Sequence, residues 1–178
     1  STGSFVGQIA KIKGCRVVGI AGGPDKCRWL KETAGFDAVI DYKNEDVHAQ
    51  IAHHCPNKWD VFFDNVGGPI LEAALDHINL RSRVVLCGSI SGYNATTPIP
   101  GPSNLSNLTI NRARMEGFVI LDYMPRAMEA IQELMGWVSS GQLIYQVDLQ
   151  EGFENIPTTL QRLYAGQNLG KQLLKIDS

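Results

Sequence analysis

This sequence predicts an α/β fold, a doubly wound and mostly parallel sheet with helices on both faces, and three observations carry the prediction. First, its apolar runs leave little room for a polar face: Val17, Val18, Ile20 and Ala21 in CRVVGIAGG, and Val84 to Gly88 in RVVLCG. Such runs suit parallel strands covered on both sides. Second, they alternate with stretches of helical period, the rhythm of strand-helix-strand units rather than of an antiparallel sandwich. Third, the strands run out into glycine or asparagine, at Ala21 to Gly23, Asp64 to Gly68 and Cys87 to Ser91. The carboxyl ends of parallel strands converge on the ligand crevice of this Rossmann-like architecture. At 178 residues the chain suffices for one substantial core and is short for two full domains.

Phe5 to Lys13 is the first predicted helix, with Phe5, Ile9 and Ile12 on one face and Gly7 admitting close approach to a sheet. No strand precedes it. The first strand of a doubly wound sheet lies in its middle, so a chain opening on this helix is expected to be a fragment lacking that strand. Buried sheet polar groups cannot be left without partners. Gly22 and Gly23 then turn the Val17 to Ala21 strand, and Pro24 opens a helix to Thr33 that Gly35 ends. Phe36 to Tyr42 makes a strand, and Asp46 to His54 a short helix. The apolar strand Val61 to Phe63 ends in Asp64 and Asn65, and Pro69 opens a helix whose Leu71, Leu75 and Ile78 repeat suits burial. After the Val84 to Gly88 strand, Ser91 to Leu108 breaks the rhythm with Gly92, Pro98, Pro100, Gly101 and Pro102. A loop of this length is commonly a functional lid or a mobile segment. Met115 to Leu121 restores a strand. The helix Pro125 to Ser139 should follow, with Met128, Ile131, Leu134, Met135 and Val138 as its core stripe. A strand over Leu143 to Val147, a helix over Phe153 to Tyr164 and a strand over Lys171 to Ile176 close the prediction.

Composition narrows the function. A formal net charge of -2 gives no global positive field for nonspecific nucleic-acid binding. No apolar run is long enough to cross a bilayer, and no cleavable signal pattern is present. Cys15, Cys27, Cys55 and Cys87 lack zinc-site spacing and read as reduced thiols of a cytoplasmic protein. His53 and His54, beside Cys55, diverge on a helix and are poorly placed to meet on one tetrahedral ion. No GxSxG elbow, phosphate-loop lysine motif or paired-carboxylate helix occurs. What remains is the series of strand-end glycines, whose backbone amides can bind phosphate and ribose without steric conflict. Lys26 and Arg28 stand just past the first turn, where NAD sites normally carry an acidic residue. They suit a 2'-phosphate, and they equally fit a solvated helix face. Taken with the glycines, the series favours a dinucleotide. Asp64 reads either as a base or as the hydrogen-bond partner of the turn that follows it. Tyr93, at the root of the long loop on the expected nicotinamide side, reads as a functional phenol or as an exposed loop tyrosine.

GSFVGQIAKIKG, CRVVGIAGGPDKCRWL, GFDAVIDYKNE, DVFFDNVGG, VVLCGSISGYN, RMEGFVI and NLGKQLLKI occur in this order across nearly the whole chain. As a series they resemble the cofactor-binding half of zinc-independent medium-chain dehydrogenases/reductases, in the leukotriene B4 dehydrogenase and prostaglandin/alkenal reductase group. The resemblance implies NADPH-dependent reduction of the carbon-carbon double bond of α,β-unsaturated ketones or aldehydes, with no metal. It implies that Lys26 pairs with the 2'-phosphate, that Tyr42 flanks it, and that Gly22 lies at the adenosine-ribose turn. Asn65 matches an asparagine near the ribose and nicotinamide. Gly88, Ser89 and the backbone of Phe118 and Val119 resemble the nicotinamide-side wall, and Asn168 the late asparagine that closes on the cofactor. Tyr93 resembles a substrate-side tyrosine and is the catalytic candidate. Other members place a tyrosine before RMEGF, where this chain has Leu108-Thr109-Ile110-Asn111. The family also has an N-terminal barrel-like domain and an AxxGxxG-type loop, of which Gly3 resembles the final glycine. Residues 1–178 are therefore expected to be a truncated NADP-binding domain, inactive in isolation. The expected partners are a small-molecule enone, enal or quinone, without nucleic acid or membrane, and a homodimer is admitted. NADPH-dependent quinone reduction and a noncatalytic dinucleotide-binding or oligomerisation module stay open as alternatives.

Overall fold

The computed structural model describes residues 1–176; residues 177 and 178 of the expected 1–178 domain lie outside the described residues. Helix α1 (Thr2–Ile12) leads to strand β1 (Val18–Ala21), and α2 (Pro24–Arg28) continues as a π-helical turn over Trp29–Thr33. Then come β2 (Ala38–Asp41), α3 (Val47–His54), β3 (Trp59–Asp64), α4 (Gly68–Leu75) and β4 (Ile78–Leu86). After α5 (Ser106–Ile110) and β5 (Arg114–Gly117), a 3-10 stretch over Ile120–Arg126 opens α6 (Ala127–Ser139). The order ends with β6 (Val147–Glu151), α7 (Ile156–Tyr164) and β7 (Lys171–Lys175). The fold is α/β and Rossmann-like, with parallel pairing of β3 with β4, β4 with β5, and β6 with β7. The chain forms two compact units, Ser1–Val39 with Glu133–Ser178, and Ile40–Gln132.

In the first unit, α1 and β1 come together because two positions carry no side chain. A Cβ at Gly7 would stand 2.0 Å from Cζ of Phe36, and one at Gly19 2.7 Å from Cδ2 of the same ring. Phe36 is 5% exposed and packs with Val17 and Ala34 under Ala10, Trp29, Leu30 and Val39. Asp37 adds a polar tie, accepting from Lys11 Nζ at 2.8 Å and from the Val17 N–H at 2.6 Å. The Lys11 hydrogen bond first, then that of Val17, holds the Asp37 carboxyl below the usual carboxylate range.

The second unit is built on the sheet β3-β4-β5. Leu71 and Leu75 of α4 pack with Ile78 and Val84, and Trp59, Phe62, Leu108 and Met115 close around them. The Trp59 indole N–H donates to the Ala74 carbonyl at 2.8 Å, so the ring is packed without an unmet donor. The register sets Asp64 beside Leu86 and Leu86 beside Gly117. Three strand ends therefore lie level, which is what positions the site.

Five expectations need correction. Ile78 is buried, but as the first residue of β4 rather than as a helical residue. The strand over Met115 to Leu121 stops at Gly117. Its neighbour β4 ends at Leu86, whose carbonyl accepts the Phe118 N–H, and the ladder then has no further partner. The strand placed at Leu143 to Val147 begins only at Val147; the Leu143 N–H instead caps α6 by donating to the Trp137 carbonyl at 3.1 Å. The proposed core stripe of α6 is exposed at Met128, Ile131, Met135 and Val138. Helical period reports a face that burial would suit, and it does not supply the cover. The long loop is also less free than a lid: Asn104 Nδ2 donates to the Glu72 carbonyl at 2.8 Å and to Asp76 Oδ1 at 2.7 Å, and Ser103 Oγ to Glu72 Oε1.

Candidate functional site

The level strand ends of the second unit send their loops around one cavity of about 530 Å³. Asp64 and Gly67 line it from the exit of β3, Leu86 to Ser89 with Tyr93 from β4, and Gly117 to Val119 from β5. Leu71 and Asp122 complete the lining. Of the residues singled out in the sequence, Gly88, Ser89, Tyr93, Phe118 and Val119 thus share one surface. Asn65 is packed beside it: a Cβ at Gly88 would stand 3.5 Å from the Asn65 carbonyl oxygen and 3.1 Å from the Tyr93 hydroxyl. A side chain at Gly88 would crowd the Tyr93 hydroxyl.

The two glycine-rich loops are hydrogen-bonded to each other. The N–H groups of Cys87 and Gly88 donate to the Asp64 carbonyl at 2.8 and 3.3 Å, and the Ile90 N–H donates to that of Asn65 at 3.1 Å. Ser91 donates to the Val66 carbonyl through its N–H at 3.1 Å and its Oγ at 2.5 Å. Gly67 has φ +70, and a Cβ there would meet Ser89 Oγ at 2.7 Å, so conformation and space both exclude a side chain. Tyr93 is 62% exposed, and its phenol oxygen accepts the Ser89 N–H at 3.3 Å. That bond orients the hydroxyl and leaves its own proton for donation. On the apolar side, the Phe118 ring stands between Phe63 and Tyr123, with centroids 6.2 and 6.0 Å away.

The remaining candidates, Tyr42 apart, lie in the first unit. Gly22 sits in the turn after β1, and Lys26 in α2 reaches the Gly166 carbonyl with Nζ at 2.6 Å. Asn168 lies in the same 166–170 segment, its Nδ2 donating to the Gly170 carbonyl at 2.7 Å. Asp148 fixes that segment by accepting from the Leu169 N–H and from Arg162, both at 3.1 Å. Burial acts to raise the Asp148 carboxyl, but hydrogen bonds from Gln150, Leu169 and Gln172 and the charge of Arg162 outweigh it and hold the pKa below the usual range. Arg28 pairs with Asp25 at 3.3 Å on the exposed surface. Tyr42, just past β2 in the second unit, is exposed.

Leu71, Cys87, Gly117 and Asp122 were not among the site candidates read from the sequence. Gly117 carried a signal, a glycine inside an apolar run, which a strand drawn through to Leu121 conceals. Among the described residues no group of three or more His, Cys, Asp or Glu could hold a metal ion. No helix among them is long and apolar enough to cross a membrane.

A model of the zinc-binding dehydrogenase family matches residues 1–140. An NADPH-dependent curcumin reductase of Escherichia coli (strain K12) is 41% identical to the chain, over 98% of this chain and 52% of that protein. Prostaglandin reductase 1 of Bos taurus is 39% identical, over 98% of this chain and 54% of its own length. The crystal structure of CurA from Vibrio vulnificus in complex with NADPH matches with a TM-score of 0.93 at 42% identity, covering 99% of this chain and 54% of that one. The chain spans about half the length of the curated relatives it matches.

Proposed function

The chain belongs to the zinc-binding dehydrogenase family and is related to its curcumin, prostaglandin and alkenal reductases, and on that premise we propose that residues 1–178 are the NADP-binding domain of an NADPH-dependent enone or enal reductase. One structural observation carries the proposal. The exits of three parallel strands line a single cavity whose wall carries Gly67, Gly88 and Gly117 together with the Tyr93 phenol. The reductase activities of the relatives and the NADPH in the similar crystal structure support the same reading. None of the four cysteines forms a disulfide, which suits a reducing cytoplasm. The family is named for zinc, but the described residues assemble no set that fits the ion.

The residues present fit a nicotinamide cofactor in kind. A Cβ at Gly67 or Gly88 would fill the cradle at the strand ends, and these glycines present backbone to a flat ring. When bound, NADPH supplies the hydride that adds to the β-carbon of the unsaturated carbonyl. As negative charge develops on the carbonyl oxygen, the Tyr93 hydroxyl, held by the Ser89 N–H, would hydrogen-bond to it, and the enolate so formed would take a proton from water at its α-carbon to give the saturated carbonyl compound. Lys26 provides the charge for the 2'-phosphate.

The test is the full-length protein with NADPH and an aryl enone, followed by product identification. A saturated ketone is expected. Tyr93→Phe should lower kcat about tenfold or more while NADPH affinity stays within about twofold. An allylic alcohol as product would contradict the proposal. Turnover of quinones without enone reduction would move the protein to quinone reduction, and NADPH binding without either activity would make it a binding module.

A further inference from the structure

We infer that Asp64 is the positioning residue for the nicotinamide-side wall, an inference that rests on reading the 530 Å³ cavity as that half of the cofactor site. Asp64 is 2% exposed, the last residue of β3, and carries a carboxylate into the interior. Such burial is costly unless every lone pair is met. Here the donors are main-chain groups of its own loop: Oδ1 accepts from the N–H of Val66 at 2.8 Å and of Gly67 at 3.0 Å, and Oδ2 from Gly67 at 3.1 Å. These bonds commit the carboxylate to the turn, and a general-base role would require breaking them.

The same residue shapes the neighbouring loop with its other end. Its carbonyl takes the N–H groups of both Cys87 and Gly88. One side chain therefore fixes residues 65–68, and one carbonyl fixes the start of the loop that carries Ser89 and Tyr93. Between them they set the arrangement in which the Asn65 carbonyl and the Tyr93 hydroxyl both lie near Gly88. An asparagine in this place has the same shape but one acceptor oxygen, and its amide nitrogen would face a backbone N–H, donor against donor. The loops should then separate, and the phenol should lose its alignment to the cavity.

Asp64→Asn in the full-length protein tests this. Because the affected wall is remote in sequence from Lys26, NADPH and NADH should both weaken by about tenfold with their ratio kept. At saturating NADPH, kcat should fall by about tenfold or more while the enone KM moves less than about threefold, since alignment rather than substrate binding is lost. Hydrogen exchange measured without cofactor should quicken in peptides covering 64–68 and 87–91. Ser91→Ala, which removes the Oγ bond to the Val66 carbonyl and leaves that of the Ser91 N–H, should shift the same quantities in the same direction and less far. A folded Asp64→Asn protein with wild-type affinities, kcat and exchange would overturn the inference, as would a loss confined to NADPH. Should Asp64→Asn fail to fold, unchanged exchange and kcat in Ser91→Ala would overturn it instead. Wild-type protein that binds neither cofactor overturns the reading of the cavity and the assignment with it. The exchange arm, read without cofactor, tells that outcome apart from an error about Asp64 alone.

Discussion

Lys26 and Arg28 are two cations two residues apart, and the structure gives them different company. Arg28 is engaged with Asp25 in an exposed pair of the kind worth at most about 1 kcal/mol. Lys26 is half-buried, with its ammonium at the Gly166 carbonyl, next to the segment that carries Asn168. Its charge is therefore held at one place, as phosphate recognition requires. Lys26→Ala should weaken NADPH by about tenfold and NADH by much less, because a charge-assisted contact is commonly worth about 1.5–3 kcal/mol and partial exposure trims it. Fluorescence titration with both cofactors measures it. Equal losses for both would assign Lys26 to holding the 166–170 segment and remove it from the phosphate site.

Between elements, the ties that matter are short polar staples across apolar contacts, and Asp37 is the clearest, joining α1 through Lys11 to Val17, the residue before β1. Its pKa is lower in the folded protein than the value of about 3.9 expected in the unfolded chain. The stability it contributes is then complete above that unfolded value and is lost as pH falls through the lower folded value. Asp37→Asn should be less stable than wild type near neutral pH, and the difference should shrink as urea melts are repeated below about pH 4. Curves that stay parallel on acidification would contradict the assignment. Elements with their own punctuation were legible in the sequence. Pro24 and Pro69 open α2 and α4, and Asp46 caps α3 by accepting from the Ala49 N–H at 3.0 Å. Elements whose limits are set by a neighbour were not. β5 is short because β4 ends, and β6 begins late because Leu143 is engaged with the end of α6.

Across the whole molecule, the fold class followed from strands apolar on both faces, and the pairing is parallel from β3 through β4 to β5 and between β6 and β7. The cavity was half legible. Gly88, Ser89, Tyr93, Phe118 and Val119 were marked by strand-end glycines and by the order of motifs. Leu71, Cys87 and Asp122 join them only because the register of β3, β4 and β5 makes the strand ends level, which no local pattern encodes. The anchoring of Asn104 by Glu72 and Asp76 was hidden for the same reason, being a contact between distant segments. The central claim is that this site directs hydride from NADPH to the β-carbon of an unsaturated carbonyl compound. Its most direct test is turnover of an aryl enone by the full-length protein with NADPH deuterated at the nicotinamide C4, in each stereochemical form, with the label located by NMR of the product. One form should place deuterium at the β-carbon of a saturated ketone. Deuterium at the carbonyl carbon of an allylic alcohol, or enone reduction with label from neither form, would contradict the account.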